Sequence, residues 1–425
     1  MEKPGLELAS TLHEIVSRTA EGRAAAVGEA LERIGERDAQ VQAWTYIENA
    51  QALREAASTM SADLPLAGVP FAVKDVIDVA GMPTRCGSSA EPDVPRAFDA
   101  SCVALLRRAG AVPVGKVVTA EYAFRRPGPT QNPRAPGHTP GGSSSGSAAA
   151  VAAGMIPFAL GTQTGGSIIR PAAYCGVVGF KPSFGAVFRD GLRQTCESLD
   201  VIGWHTRSVA DTRLLADVLL PYPRPNAGVA TPPRTVAIVR GDPDNLLEKA
   251  SERALAAARE AFERHGIRCV DVPFDRASEI AEIHATIMHY EFARSLSPVV
   301  QRCPDQVSAS LLETVRKGFN IAAQDYLAQR HAQLYWRDRW AELIGDADLL
   351  VTPSTPGVAP QGLASTGTSA FNRIWSALGW PCLHLPMDTE DAGLPIGVQL
   401  VGRYESDHQL WSWATALHGM LLTGE

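Results

Sequence analysis

Residues 141–185, GGSSSGSAAAVAAGMIPFALGTQTGGSIIRPAAYCGVVGFKPSFG, restrict the possible folds of this chain more than any other stretch. Two small-residue turns sit in the run, GGSSSGS at 141–147 and GGS at 165–167, with an alanine-rich piece at 148–153 and an apolar piece at 155–160 between them. The alanine-rich piece suits a short buried helix, and the apolar piece a buried strand ending just before the second turn. Glycines at the end of such a strand let backbone N–H groups approach a ligand, because no Cβ stands in the way. A helix starting at Ser167 would add the positive end of its dipole. The pattern describes a site for an oxyanion with a serine hydroxyl inside it. A crossing of small-residue helices in the core is the alternative, but packing alone rarely asks for serine beside each glycine pair.

Composition narrows the function classes. A chain of 425 residues, 45% hydrophobic and 20% charged, can bury a large core as a soluble enzyme does. A net charge of −7 without a long basic stretch argues against nucleic-acid binding. The seven cysteines (Cys86, Cys102, Cys175, Cys196, Cys269, Cys303 and Cys382) are scattered and never form C-x-x-C. That spacing disfavours both a disulfide framework and a structural zinc site, and points to a reducing compartment. No apolar segment resembles a signal peptide or approaches membrane-spanning length, so the expected location is cytoplasmic, with no membrane partner.

Apolar spacing predicts helices over 6–19, 23–37, 49–60 and 98–109, the last with Asp99 as a cap, and strands over 43–47, 69–74 and 112–116. The strand at 69–74 ends in Lys74-Asp75. Most lysines keep their ammonium in water, but Phe71, Val73, Val76 and Ile77 around Lys74 argue for burial. Residues 110–116, GAVPVGK, fit the phosphate-loop pattern, yet Val117 replaces the required Ser or Thr, and the segment reads as a strand. The proline-rich 125–140 suits a loop on the rim of a site. Further on come a helix over 208–220, a proline-rich boundary over 221–233, and a strand–helix–strand unit over 236–272 that adds to the sheet. Helices follow over 279–294, 308–318 and 322–343, the last either a lid or plain outer packing. Strands over 349–352, 383–385 and 396–401 and a helix over 409–420 close the chain. Strands alternating with helices imply an α/β fold, with its sheet covered on both faces.

A serine hydroxyl needs a base before it becomes nucleophilic. His138, His205 and His384 lie in no motif that ties them to Ser167. The 142–146 segment fits G-x-S-x-G, but a proline-rich loop precedes it where the nucleophile elbow requires a strand. A buried lysine offers another route, because burial lowers a pKa of about 10.4 by several units and so supplies a neutral amine.

The serine pair, 24 residues apart at Ser143 and Ser167, resembles the signature of the amidase signature family. PLAGVPFAVKD at 65–75 is similar to the segment that carries that family's lysine. GWPC at 379–382 and GLPIGVQL at 393–400 resemble its closing strands. The resemblance covers most of the chain and is weakest over 221–345. It implies one domain over 1–425 with a mixed central β-sheet, and a proton relay of Lys74, Ser143 and Ser167 with a cis peptide bond before Ser143. The expected acyl-enzyme forms on Ser167, and the backbone N–H groups of Thr164, Gly165, Gly166 and Ser167 hold the oxyanion. No metal or cofactor is needed, the substrate is a small-molecule amide, and a homodimer is the expected assembly. Many relatives carry Asp where this chain has Gln163 and Arg where it has Ile169, while Arg170 follows one position later. That variant resembles the malonamidase branch, which implies that Arg170 holds a substrate carboxylate, as in malonamate. A structural ion pair with a loop is the other reading of Arg170. Two other functions fit the same parts: the glutaminase subunit of a tRNA-dependent amidotransferase, and a non-catalytic binding protein that retains the fold.

Overall fold

Apolar runs that lack a polar face must be covered on both sides, and the runs ending at Lys74, Val117 and Gln163 are buried at every position. The computed structural model describes residues 10–61, 63–221, 232–241, 245–387 and 393–422. Among these, eleven strands form one sheet. In chain order they are β1 (Trp44–Ile47), β2 (Pro70–Lys74), β3 (Val112–Val117), β4 (Phe158–Gln163), β5 (Val178–Lys181), β6 (Val201–Thr206), β7 (Thr235–Ile238), β8 (Arg268–Asp271), β9 (Leu349–Pro353), β10 (Cys382–Pro386) and β11 (Gly397–Val401). The spatial order is β1-β3-β2-β4-β6-β5-β10-β11-β9-β7-β8. β2 runs parallel to β3 and β4, and β7 parallel to β8 and β9; the other pairings are antiparallel, so the sheet is mixed.

Alternate residues of the central strands enter different cores, as a two-residue period requires. Phe71, Val73, Phe158 and Leu160 join the larger apolar cluster, while Ala72 and Ala159 face the alanines of 148–153. Small residues there let the Ser145–Ala152 helix lie close against the sheet; a Cβ on Gly146 would come within 2.4 Å of Val118 N. Parallel pairing of β2 with β4, in the register Val73↔Leu160, brings both C-terminal ends to one edge. Lys74 thereby lies beside Thr162, one residue before the end of β4. The strand–helix–strand unit adds β7 and β8 to the far end of the sheet, as expected.

Several boundaries differ from the sequence expectation. The helix after the first serine turn starts earlier, at Ser145, and β4 starts at Phe158, because Met155 and Ile156 lie in the connection. Asp99 does not cap the next helix, Ser101–Arg108; its carboxylate accepts from Ala80 N–H and pairs with Arg107 instead. The 322–343 helix is two, Ala323–Arg337 and Trp340–Ile344. The Ala370–Leu378 helix, which follows a Ser/Thr/Gly-rich approach, has no counterpart in the sequence expectation. Only part of the 6–19 helix, Leu12–Val16, is seen, residues 1–9 lying outside the described residues, as does most of the 221–233 boundary. No described helix is long and apolar enough to cross a membrane.

Close strand approach makes a stability prediction. A Cβ on Gly203 of β6 would stand 2.2 Å from Phe180 O and 2.8 Å from Ile168 Cδ1. Gly203→Ala is expected to destabilise the fold by at least about 1–3 kcal/mol. Gly35→Ala, in the middle of the Ala20–Val41 helix with nothing within 4 Å of the new methyl, should instead stabilise by about 0.5–1 kcal/mol. Thermal unfolding of the two variants should therefore shift in opposite directions.

Candidate active site

Lys74 ends β2 with its side chain wholly buried. Its Nζ lies 2.8 Å from Ser143 Oγ and 2.7 Å from Thr162 Oγ1, with the Thr162 carbonyl at 3.5 Å. Burial pushes the amine from its ordinary 10.5 down to about 7; Asp200 acts against that shift and Arg170 adds to it. This lysine therefore supplies an uncharged form near neutral pH, bonded to hydroxyls and a carbonyl rather than a carboxylate. Gly142–Ser143 is cis, as the resemblance implied.

The second serine turn follows β4. Ser144 N–H donates to the Ser167 carbonyl at 3.4 Å, which joins the two serine turns. Lys74 and Ser143 are hydrogen-bonded, whereas among the described residues the Ser143 and Ser167 hydroxyls are not bonded to each other. The following helix is Ile169–Cys175, starting two residues beyond Ser167. The expected helix start at Ser167 is thus corrected: Gln163 Oε1 takes the N–H groups of Ile168 and Ile169, at 2.8 and 3.1 Å, and residues 164–168 form a turn. Gly166 is required by packing as well as access, since a Cβ would meet Asn372 Oδ1 at 2.5 Å.

Thr164, Gly165, Gly166, Ser167 and Arg170 all line one cavity of about 700 Å³. Arg125, Arg126 and Arg373 also line it, and among the described residues no Asp or Glu does. Arg170 is 5% exposed and donates through Nη2 to Gly142 O at 2.6 Å and Thr366 Oγ1 at 3.2 Å, while its Nε has no partner among the described residues. Burial lowers its pKa to about 10, opposed by Tyr174 and by no described carboxylate, so it stays cationic at neutral pH. The helix dipole opposes this placement, because a cation in a first turn faces its unfavourable end.

His138 is half-buried, His205 Nε2 donates to Ile168 O, and His384 bonds Ser354; none lines the cavity. The histidine that does line it is His284, which sequence reasoning does not single out and whose Nε2 lies 2.9 Å from Thr164 O. Burial holds His284 near 4, so it is neutral and donates there through Nε2–H. Thr162, Asp200 and Ser376 were missed as well. Asp200 accepts from Thr164 Oγ1 at 2.5 Å and from the N–H groups of Thr195 and Cys196, fastening the turn to the neighbouring wall. Such residues carry no local signal, since the groups they act on are tens to hundreds of positions away. The 323–337 helix does not line the cavity; Ala277–Arg302 does, through His284, Met288 and Phe292.

Comparison with known proteins bears on the chain as a whole. The amidase family profile matches residues 25–411. The chain is 32% identical to a glutamyl-tRNA(Gln) amidotransferase subunit of Akkermansia muciniphila, over 90% of this chain and 93% of that one. A crystal structure of an amidase, 31% identical, superposes with a TM-score of 0.87 over 97% of this chain and 100% of the other. The native peptide amidase from Stenotrophomonas maltophilia, 27% identical, gives 0.82 over 98% of each chain.

The lowered Lys74 value sets a pH dependence. Protonation removes the lone pair, so kcat/KM should be small below the folded pKa, rise through about 7 and level off above it. A pH–rate profile of the free enzyme that stays flat from about 5.5 to about 9 on any amide would contradict a basic role for Lys74.

Proposed function

The chain belongs to the amidase family, and from that premise we propose that it is a stand-alone hydrolase of small amides bearing a carboxylate, acting through a Ser167 acyl-enzyme. The observation that carries the reading is the cavity around Ser167, which among the described residues has four arginines on its walls and no acidic side chain. A cationic wall favours an anionic ligand, and a guanidinium grips a carboxylate at two points. Arg170, buried with its Nε unpartnered, is the group that would do so, as in the malonamidase branch; malonamate is the simplest substrate of this class.

In the proposed reaction Ser167 Oγ attacks the amide carbonyl while its proton passes to Ser143 Oγ. Ser143 gives its own proton to neutral Lys74 Nζ. Hydrogen bonds along such a relay shorten as the substrate engages. N–H groups of the 164–167 turn stabilise the tetrahedral oxyanion, each worth about 3 kcal/mol. The C–N bond then breaks, and the relayed proton leaves with ammonia or an amine. Water hydrolyses the ester through the same relay and restores Ser167.

A second reading is favoured by the 32% identity to an amidotransferase component: a glutaminase that works with partner chains. Free glutamine carries an ammonium as well as a carboxylate, and the arginine-rich cavity offers its ammonium no carboxylate partner. We therefore place this reading second.

The purified chain should be labelled by a fluorophosphonate at Ser167, with the adduct lost in Ser167→Ala. On a panel of amides, Arg170→Gln is expected to reduce kcat/KM for carboxylated substrates about 100-fold, the effect of removing one partner of a charged pair of roughly 3 kcal/mol. Neutral amides should lose less, about tenfold at most, through the Arg170 bond to Gly142 O and its effect on Lys74. Equal losses on both kinds would sink the carboxylate role, and ammonia release from glutamine alone would favour the second reading.

A further inference from the structure

We propose that Gln163 and Ser376 are positioning residues that aim the oxyanion-binding N–H groups of the 164–167 turn, a role that rests on the amidase reading above. A trans peptide is planar, so the carbonyl of one residue and the N–H of the next point in opposite directions. Holding a carbonyl therefore sets where the following N–H points. Three successive carbonyls of the turn are held: Thr164 O by His284 Nε2 at 2.9 Å, Gly165 O by Ser376 Oγ at 2.8 Å, and Gly166 O by Arg170 N at 2.9 Å. The N–H groups that follow them belong to Gly165, Gly166 and Ser167. None of the three donates to another described residue, and all three residues line the cavity.

The middle clamp has a fixed direction. Gln163 Oε1 accepts two backbone N–H groups, from Ile168 and Ile169, so that end of the amide is the oxygen. Its other end is the NH2 group, which donates to Ser376 Oγ at 3.0 Å. Ser376 has one hydrogen, and with Gln163 donating to its oxygen that hydrogen goes to Gly165 O. A carboxylate at 163 could still accept the two N–H groups, but it could not donate. Ser376 would turn its hydrogen toward that carboxylate and release Gly165 O. The amide at 163 is what commits Ser376 to the turn. Both side chains are buried, at 0% and 2% exposure, and neither lines the cavity, so they act through the backbone alone.

The test is steady-state kinetics of the full chain and of Gln163→Glu, Ser376→Ala, their double variant and Ser376→Thr, on a carboxylated amide. Each of the first two should lose roughly ten- to a hundredfold in kcat, as misaimed oxyanion donors do, with KM held within about threefold. The double variant should be no worse than the poorer single, because both changes release the same carbonyl. Ser376→Thr keeps the hydroxyl and should retain kcat within about threefold. Losses that multiply in the double variant, or singles with unchanged kcat, overturn the positioning role. If Gln163→Glu does not fold, Ser376→Ala and Ser376→Thr decide: kcat lost in one and kept in the other supports the role, and equal values overturn it. A wild-type chain that neither labels at Ser167 nor hydrolyses any amide sinks the amidase reading and this role together. A wild type that labels, with variants as fast as it, sinks the positioning role alone.

Discussion

Keeping an amine uncharged in the middle of a sheet is the constraint from which the rest of this structure follows. The depression of Lys74 from 10.5 to about 7 corresponds to roughly 5 kcal/mol against its ammonium form. Apolar strands on both sides exclude water, and the groups within reach of Nζ are hydroxyls and one carbonyl. Lys116, one strand away on β3 and equally buried, shows the opposite solution. Its Nζ pairs with Asp75 at 3.0 Å and bonds Thr84 Oγ1 and Pro83 O; burial lowers its pKa as well, but here a carboxylate in contact opposes the shift. Two buried lysines on neighbouring strands thus differ by a single carboxylate. One is a structural ion pair, and the other is left with the lone pair that acid–base chemistry needs.

Charge around the cavity acts on the same amine in both directions. Arg170 disfavours the protonated form of Lys74, while Asp200 favours it, and both are themselves buried. Asp200 accepts hydrogen bonds from Thr164, Thr195 and Cys196, which ties electrostatics at Lys74 to the shape of the turn that follows β4. Arg170 reaches back to the carbonyl of Gly142, beside the cis bond, and so links the two serine turns. The groups that tune the amine also hold the serines. Changing one member is therefore expected to move several properties together.

Much of the central machinery is legible in the chain because it is local. Gly-Gly-Ser turns, an apolar strand ending in lysine and the alternation of strands with helices each occupy a few consecutive residues, and physical reasoning about backbone access and burial reaches them directly. Helix ends are less legible. Asp99 has the residue type of a cap, yet its carboxylate goes to Ala80 and Arg107, since tertiary partners outcompete a local cap. The start of the helix after Ser167 depends on Gln163, five residues before Ile168, taking its first N–H groups. His284 and Ser376 bond Thr164 and Gly165 across separations of 120 and 211 residues, and no periodicity reports such pairings.

By itself, the sequence determined the residue types available for the chemistry: two serines in glycine turns, a lysine among apolar neighbours and an arginine three positions past the second serine. It also determined the α/β character, because strand and helix periods are written in neighbouring positions. Tertiary structure alone decided which buried lysine meets a carboxylate: Asp75 lies 3.0 Å from Lys116 Nζ, while the groups bonded to Lys74 Nζ are hydroxyls and a carbonyl. It alone decided the sign of the cavity, assembled from loops and helices spread between residues 123 and 373. Charge and desolvation are properties of what surrounds a group, and the surroundings exist only once the strands have paired.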